Sequence, residues 1–197
     1  MTATTRLSRL NSLLLAMIVL VNLYIIAAPL IPAVIFWFEN HTTQRQAQLN
    51  HKLHSNNAGS TPAIPADNRL VVPAMLLDDP IFEGPTVATA NKGVWHRPNS
   101  SSPDQGGNTV LVGHRFTYTT PRGIFYYLDK LEVGNEIGVF WNHHKYLYKV
   151  STTEVVQPDS IDVEANTTGS QLTLYTCTPL WWPKNRLVVI AQLEGTS

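Results

Sequence analysis

The chain opens with a long apolar segment. Residues 13–38 contain no charged side chain, and one helix across a bilayer needs about 20 consecutive apolar residues. Arg6 and Arg9 precede the segment, and positive charge marks the cytoplasmic flank of a membrane span. We therefore predict a transmembrane helix as an anchor over residues 11–38, with residues 1–10 in the cytoplasm and the following chain outside.

A cleaved signal peptide is the alternative interpretation of this segment. Ala27, Ala28 and Ala33 are small enough for a cleavage site, but prolines stand beside them. The apolar run also continues to Phe38, past the shorter apolar centre of a signal peptide. Trp37 suits the outer membrane interface, where aromatic rings collect. The pattern favours an uncleaved anchor.

A polar segment follows over residues 39–68, rich in Gln, Asn, His, Ser and Thr. Its first half is compatible with a continuing helix, whereas residues 56–65 are typical of a flexible spacer. We predict that this segment holds one folded domain, residues 69–197, away from the membrane.

After Arg69 the pattern changes to short apolar runs divided by turn residues. Gly, Pro, Asn and Asp bound several of the runs, which predicts an all-β sandwich or barrel rather than alternating strands and helices. Phe125–Leu131 is the strongest candidate for a helical turn. The predicted strands are "RLVVPAMLL", "TVLVGH", "EIGVFW", "KYLYKVSTTEVV", "QLTLYTC" and "RLVVIAQL".

Charge and composition exclude some classes of function. Fourteen basic and fourteen acidic side chains cancel, so the basic surface of a nucleic-acid-binding protein is missing and no nucleic-acid partner is expected. His143 and His144 are neighbours in a predicted hairpin, where adjacent side chains point to opposite faces and chelate poorly. We find no metal-ligand cluster in the sequence and expect no metal and no cofactor.

The single cysteine of the chain, Cys177, ends a predicted strand. If the last two strands pair around a loop over residues 178–185, Arg186 stands directly opposite Cys177. A lone cysteine is most often a small buried apolar side chain. Here the extracytoplasmic position, the strand end and the facing guanidinium favour a reactive thiol instead.

A cysteine nucleophile usually needs a general acid and base, and the chain has seven histidines. Three lie in the polar spacer and are expected to be solvated. His96 lies in "VWHRP", where packing is the simpler role. His114 ends the apolar strand "TVLVGH" next to Gly113, and loop residues at strand ends commonly carry catalysis.

These motifs together resemble a known family. "GGNTVLVGHRFTY", followed later by "LTLYTCTP" and then "RLVV", is similar to the sortases, membrane-anchored cysteine transpeptidases of Gram-positive-type cell envelopes. The resemblance extends over residues 69–193, and "HRFTY" with "TCTP" is most similar to class E. It implies a closed eight-stranded β-barrel with short helical turns, consistent with the strand pattern.

The resemblance also implies roles for individual residues. Cys177 would be the nucleophile, His114 the acid and base, and Arg186 the cation that stabilises an oxyanion or orients the substrate. Thr176 and Tyr118 are weaker candidates for the wall of the substrate-binding site.

The loop "TPLWWPKN" departs from the family pattern through its paired tryptophans, Trp181 and Trp182. Local packing is one interpretation of this pair. The other is an apolar lip that contacts a substrate side chain, so both are included as weak substrate-binding candidates.

The activity implied by the resemblance is acyl transfer. The enzyme would cut a C-terminal sorting signal of the Leu-Pro-x-Thr-Gly or Leu-Ala-x-Thr-Gly type after Thr. It would then pass the surface protein to an envelope amine, such as that of a peptidoglycan precursor. Two alternatives stay open at this stage: an extracytoplasmic thiol hydrolase or protease, and a membrane-anchored β-module without enzymatic activity.

Overall fold

The computed structural model describes residues 3–31, 34–35, 38, 43–54, 64–117, 119 and 122–197. Its first element is helix α1, Ala3–Ala27. Within it, Ser8–Ala27 is long and apolar enough to cross a membrane, as a membrane anchor or a signal sequence requires. The polar side chain of Asn22 donates to the Ile18 carbonyl at 2.8 Å, so it is satisfied within the helix. Trp37 and Ala33 lie outside the described residues.

The end of α1 contacts the folded domain directly. Ala28 is fully buried, and the hydroxyl of Tyr126 donates a hydrogen bond to the Pro29 carbonyl. In contrast, the apolar side chains along α1 itself are exposed. The helix therefore presents an apolar surface that the described residues leave uncovered, while the residues just after its end contact the domain.

Helix α2, Thr43–His54, occupies the first half of the polar segment, as the sequence indicated. It packs on the domain through Leu49 and Leu53, which are buried with Phe140 and a valine of the first strand. Gly138 makes room for this contact, because a Cβ there would lie 2.3 Å from Cδ2 of Leu53. Part of the predicted spacer thus belongs to the folded body. The proposed domain boundaries stay predictions, and residues 55–63 lie outside the described parts.

Eight strands form a closed barrel in the order β1-β2-β3-β4-β7-β8-β6-β5, which confirms the predicted all-β, eight-stranded architecture. Within the described residues, the connections contain four short 3₁₀ helices, at Pro73–Met75, Val87–Asn91, Leu128–Lys130 and Ile161–Glu164. The strands are β1 Arg69–Val72, β2 Leu77–Glu83, β3 Val94–His96, β4 Asn108–Val112, β5 Glu136–Trp141, β6 His144–Val156, β7 Gln171–Thr178 and β8 Asn185–Thr196.

The first predicted strand, "RLVVPAMLL", is in fact two. Proline lacks a backbone N–H and ends the ladder, so Pro73 begins a 3₁₀ turn. Leu76 then adopts a left-handed conformation with φ of 54°, and β2 runs back antiparallel to β1. An apolar run without a turn motif hid this reversal.

Strand direction determines where the predicted functional residues lie. β4 and β7 are parallel, with Val112 level with Tyr175, so both strands end at the same edge of the barrel. β8 is antiparallel to β7 and therefore begins at that edge. Three separate parts of the sequence meet there.

Candidate active site

The barrel edge places Cys177, His114 and Arg186 around one cleft of about 260 Å³. Cys177 pairs with Arg186 in the β7–β8 ladder, which confirms the predicted hairpin. His114 lies two residues beyond β4 rather than inside it. Val112 is level with Tyr175, so continuing this register by two residues makes His114 level with Cys177. Because neighbouring strands are about 4.8 Å apart, the two residues are close to each other.

Cys177 is a free, half-buried thiol. Alternation along β7 sends Leu172 and Leu174 into the barrel core, whereas Tyr175 and Cys177 line the cleft. The thiol is therefore held on a rigid strand and remains open to a ligand, unlike the fully buried cysteine that the structural alternative required.

Asn91 orients the ring of His114. The Nε2 atom of His114 lies 3.0 Å from the Oδ1 atom of Asn91. An amide oxygen accepts hydrogen bonds, so this contact suits the tautomer of the His114 ring that carries its proton on Nε2. The backbone is held as well, because Phe125 N–H donates to the His114 carbonyl at 3.0 Å.

Thr176 connects the cysteine strand to the histidine segment. Its side chain is buried, and its hydroxyl donates to the Gly113 carbonyl at 2.7 Å. This bond joins the residue before Cys177 to the residue before His114. The candidate wall residue thus also fixes the spacing of the two reactive groups.

Arg115 makes a second connection that the sequence did not reveal. Its Nη1 donates to the Thr178 hydroxyl at 2.9 Å, and its Nη2 pairs with Asp129 at 2.9 Å. Arg115 follows His114, and Thr178 follows Cys177. The two catalytic candidates are therefore bridged on both sides, by residues that precede them and by residues that follow them.

A polar cluster in the cleft wall was also missed from sequence. Glu164 receives hydrogen bonds from Arg97 Nε at 2.9 Å and from the Tyr175 hydroxyl at 2.5 Å. Burial and the hydrogen bond to Glu164 raise the pKa of Tyr175 above its usual range. The cluster fastens the 3₁₀ helix Ile161–Glu164 to β7, beside Cys177. No local motif marks it, since its members lie far apart in the chain.

The remaining candidates lie elsewhere. Trp181 and Trp182 are exposed in the β7–β8 loop and are not among the residues that line the cleft. Tyr118 lies outside the described residues. His96 packs in the barrel, as the sequence indicated. It is buried, and its ring meets the Trp141 ring edge-on with 5.0 Å between the ring centroids.

Comparison with known proteins identifies the family. The sequence model of the sortase domain matches residues 70–194, more than half of the chain. The chain belongs to the sortase family, as its motifs predicted.

Individual relatives agree with this assignment. The chain is 29% identical to sortase D of Bacillus subtilis over 121 residues, covering 61% of this chain and 58% of the relative. It is 34% identical to sortase SrtE1 of Streptomyces coelicolor over 100 residues, covering 46% and 28%. The chain thus spans less than two thirds of either relative.

Solved structures support the barrel. Sortase E1 from Streptomyces coelicolor, solved with a tripeptide in its active site, superposes with a TM-score of 0.58 at 28% identity, covering 66% of this chain and 88% of that one. A Clostridium perfringens sortase D5 transpeptidase superposes with a TM-score of 0.58 at 23% identity, covering 78% and 98%, and shows the fold alone. Class D and class E names both occur among these matches, so class E stays a prediction.

Proposed function

We propose that this sortase is a cysteine transpeptidase that acts on a C-terminal sorting signal. The observation that carries the proposal is the shared cleft, in which a free thiol, an imidazole and a guanidinium come from the ends of three strands. A nucleophile, a proton carrier and an oxyanion-stabilising cation are the three groups that acyl transfer through a thioester needs.

In the first step the Cys177 thiol gives its proton to His114, and the resulting thiolate attacks the carbonyl carbon of Thr in the sorting signal. The carbonyl oxygen becomes an oxyanion, and the Arg186 guanidinium stabilises its charge. His114 protonates the departing amine as the C–N bond breaks. The result is a thioester on Cys177 and a free C-terminal fragment.

In the second step an amine attacks the thioester carbon. His114 takes the proton that the amine loses, the new C–N bond forms, and Cys177 leaves as a thiolate. One peptide bond has been replaced by another, so the reaction needs no external energy source.

The donor is a surface protein that ends in Leu-Pro-x-Thr-Gly or Leu-Ala-x-Thr-Gly. The cleft lining supports an extended, partly apolar peptide, because it includes Val87 and Ile161, and both are exposed. The acceptor is an amine of the cell envelope, such as that of a peptidoglycan precursor. The exposed apolar surface of α1 supports a single-pass anchor. Arg6 and Arg9 before the span favour an orientation with the barrel outside the cell.

The test uses the full chain in detergent with a quenched Leu-Ala-x-Thr-Gly peptide and a glycine-based amine, and identifies the products by mass spectrometry. We expect a ligated product from the wild type and from Lys130→Gln, a control on the exposed surface. Cys177→Ala should give none. Hydrolysed peptide alone would favour the thiol hydrolase, and an intact peptide with an unreactive thiol would favour the structural β-module.

A further inference from the structure

The tryptophan loop, residues 178–185 between β7 and β8, exposes two large aromatic rings side by side. Trp181 is 50% exposed and Trp182 is 69% exposed. Single exposed apolar side chains are common on protein surfaces, whereas a contiguous apolar patch is typical of an interaction site. Neither tryptophan is among the residues that line the cleft with Cys177. The two rings therefore form an apolar surface outside the cleft.

A cation accompanies the two rings. The Nζ atom of Lys184 lies 5.9 Å from the centroid of the Trp182 ring, and Lys184 is itself exposed. Leu180 of the same loop packs against the barrel core, so the base of the loop is fixed while the rings stay exposed. Tryptophan rings collect at the headgroup level of a bilayer, and anionic headgroups attract lysine. The loop thus has the composition of a segment that contacts a lipid surface.

Side-chain contacts place this loop on the side of the barrel that the end of α1 reaches. Thr178, the first residue of the loop, accepts a hydrogen bond from Arg115 at 2.9 Å. Arg115 also interacts electrostatically with Tyr126, whose hydroxyl donates to the Pro29 carbonyl. Pro29 follows the last residue of α1 by two positions. A short series of side chains therefore connects the loop with the end of the helix that is apolar enough to cross a membrane.

We propose that the tryptophan loop docks into the interface of the bilayer that α1 spans. This inference rests on the membrane anchor of the proposed function. Both tryptophan rings lie at the level of the lipid headgroups, and the lysine of the loop lies beside anionic lipids. A single helix leaves the barrel free to tilt, whereas a second contact with the lipid surface fixes its orientation. Because the same hairpin carries Cys177 and Arg186, the docked loop holds the edge of the cleft close to the membrane.

The experiment places the full chain in vesicles of phosphatidylcholine and phosphatidylglycerol, either unmodified or with bromine on the acyl chains near the headgroups. Bromine quenches tryptophan emission at contact. All proteins carry Trp37→Phe, because Trp37 belongs to the predicted anchor, whereas Trp95 and Trp141 are buried in the barrel. We expect brominated lipid to lower the emission of this parent protein. Trp181→Phe combined with Trp182→Phe should abolish that loss, because the fluorophores that contact lipid are then absent.

A tryptophan at the other end of the barrel is the matched control. Gln192 is exposed on β8 and pairs with Gln171 at the start of β7, whereas the tryptophan loop follows the end of β7. Gln192→Trp, added to the protein without the loop tryptophans, restores one exposed ring. Its emission should be the same in both kinds of vesicle. Quenching as strong as that of the parent would show that the barrel has no fixed orientation and would overturn the docking.

A second pair of variants tests the charge of the loop. Lys184→Gln should lower the ratio of docked to undocked loops about fivefold in vesicles that contain phosphatidylglycerol. The effect should be much smaller in phosphatidylcholine alone, which has no net charge. Lys149 pairs with Gln192 in the β6–β8 ladder, so Lys149→Gln removes a cation at the control position and should leave the quenching unchanged. Equal effects of the two substitutions would contradict the docking of this loop.

Flotation of the vesicles separates this inference from the anchor on which it rests. If the chain does not float with the vesicles, the anchor fails and the docking fails with it. If the chain floats but brominated lipid leaves the emission of the parent unchanged, the anchor stands and only the docking is overturned. In that case, a change in emission when a Leu-Ala-x-Thr-Gly peptide is added in detergent would assign the two tryptophans to substrate binding instead.

Discussion

Asn91 is the residue whose side chain contacts the ring of His114. The 3.0 Å contact between Oδ1 and Nε2 favours the tautomer with the proton on Nε2, in which Nδ1 can accept a proton. General acid and base groups contribute about 10²–10⁴-fold to rate when they are correctly placed. In the proposed mechanism, a part of the contribution of His114 depends on Asn91, which the sequence motifs do not include.

We expect Asn91→Ala to lower kcat/KM for thioester formation about tenfold, a fraction of the full acid–base contribution. Asn91→Asp is the informative companion, because a carboxylate favours the imidazolium and shifts a histidine pKa upward. Its pH–rate profile should move the histidine limb to higher pH, while Asn91→Ala lowers the rate without that displacement. Identical profiles for Asn91→Asp and the wild type would show that the contact is merely structural.

At the scale of elements, the docking of α2 on the barrel is the least expected part of the fold. The amino acids of this helix are mostly polar, and Leu49 and Leu53 are buried against the barrel. Gly138 in β5 matches this helix, since any side chain there would collide with Leu53. A glycine within a strand thus indicates that another element approaches closely, although the sequence does not say which one.

A double-mutant cycle tests this contact. Leu53→Ala removes a fully buried side chain and should lower the free energy of unfolding by about 2–5 kcal/mol. Gly138→Ala should cost about 1–3 kcal/mol through overpacking. The two losses should combine to at least about 0.5 kcal/mol less than their sum, because the smaller side chain relieves the collision. Denaturant unfolding measures all four proteins.

Gln48→Ala supplies the matched control, since Gln48 is exposed on the same helix and its loss should change stability by less than about 0.5 kcal/mol. Strict additivity of the Leu53 and Gly138 changes would mean that α2 does not dock against β5 in solution.

At the scale of the whole molecule, two adjacent carboxyls in β2 affect stability in opposite directions. Burial alone would raise the pKa of Asp78, but hydrogen bonds from Lys52 and Arg69 lower it overall. Burial raises the pKa of Asp79. Successive strand residues point to opposite faces, so the neighbours experience different surroundings.

The signs lead to a pH prediction. Asp79 has a raised pKa in the folded state. Its stabilising effect is therefore present at pH values below its pKa in the unfolded state, and it is lost as the pH rises through its pKa in the folded state. Asp79→Asn should therefore stabilise the barrel at pH 7, by less than about 1 kcal/mol because water screens a half-exposed group. The gain should vanish at pH 3.

Asp78→Asn is the counterpart with the opposite sign. Because the pKa of Asp78 is lowered in the folded state, Asp78 contributes stability at pH values above its pKa in the unfolded state. This contribution is lost as the pH falls through its pKa in the folded state. The substitution should destabilise the protein at pH 7, and this cost should become smaller as the pH falls through the folded-state pKa of Asp78. Unfolding midpoints for both variants at the two pH values decide the matter, and equal shifts for the two would contradict the assigned causes.

The fold and the reactive groups could be predicted because they depend on local pattern and on contiguous motifs. Alternation and turn residues indicate strands, and the pairing of Cys177 with Arg186 follows from one hairpin. The convergence of His114 with Cys177 needed the parallel β4–β7 pairing, which the strand pattern alone does not specify and which only the family resemblance implied.

The supporting contacts were beyond sequence reasoning for a physical reason. Arg115 and Thr178, like Glu164 and Tyr175, meet only after the barrel has closed. Such a contact joins residues that are far apart in the chain, so neither a periodic pattern nor a neighbouring motif in the sequence indicates it. Even the reversal at Pro73 was hidden, because the residues around it, from Leu70 to Leu77, are all apolar.

The hydrogen bond from Tyr126 to Pro29 has a consequence for how substrates would be encountered. If α1 is embedded in a bilayer, a barrel that contacts the end of this helix cannot move far from the membrane surface. Its cleft stays within a thin layer above the lipid. Donors and acceptors that are themselves held at the membrane would then meet it by lateral diffusion, at a high local concentration, while freely dissolved proteins would rarely enter that layer.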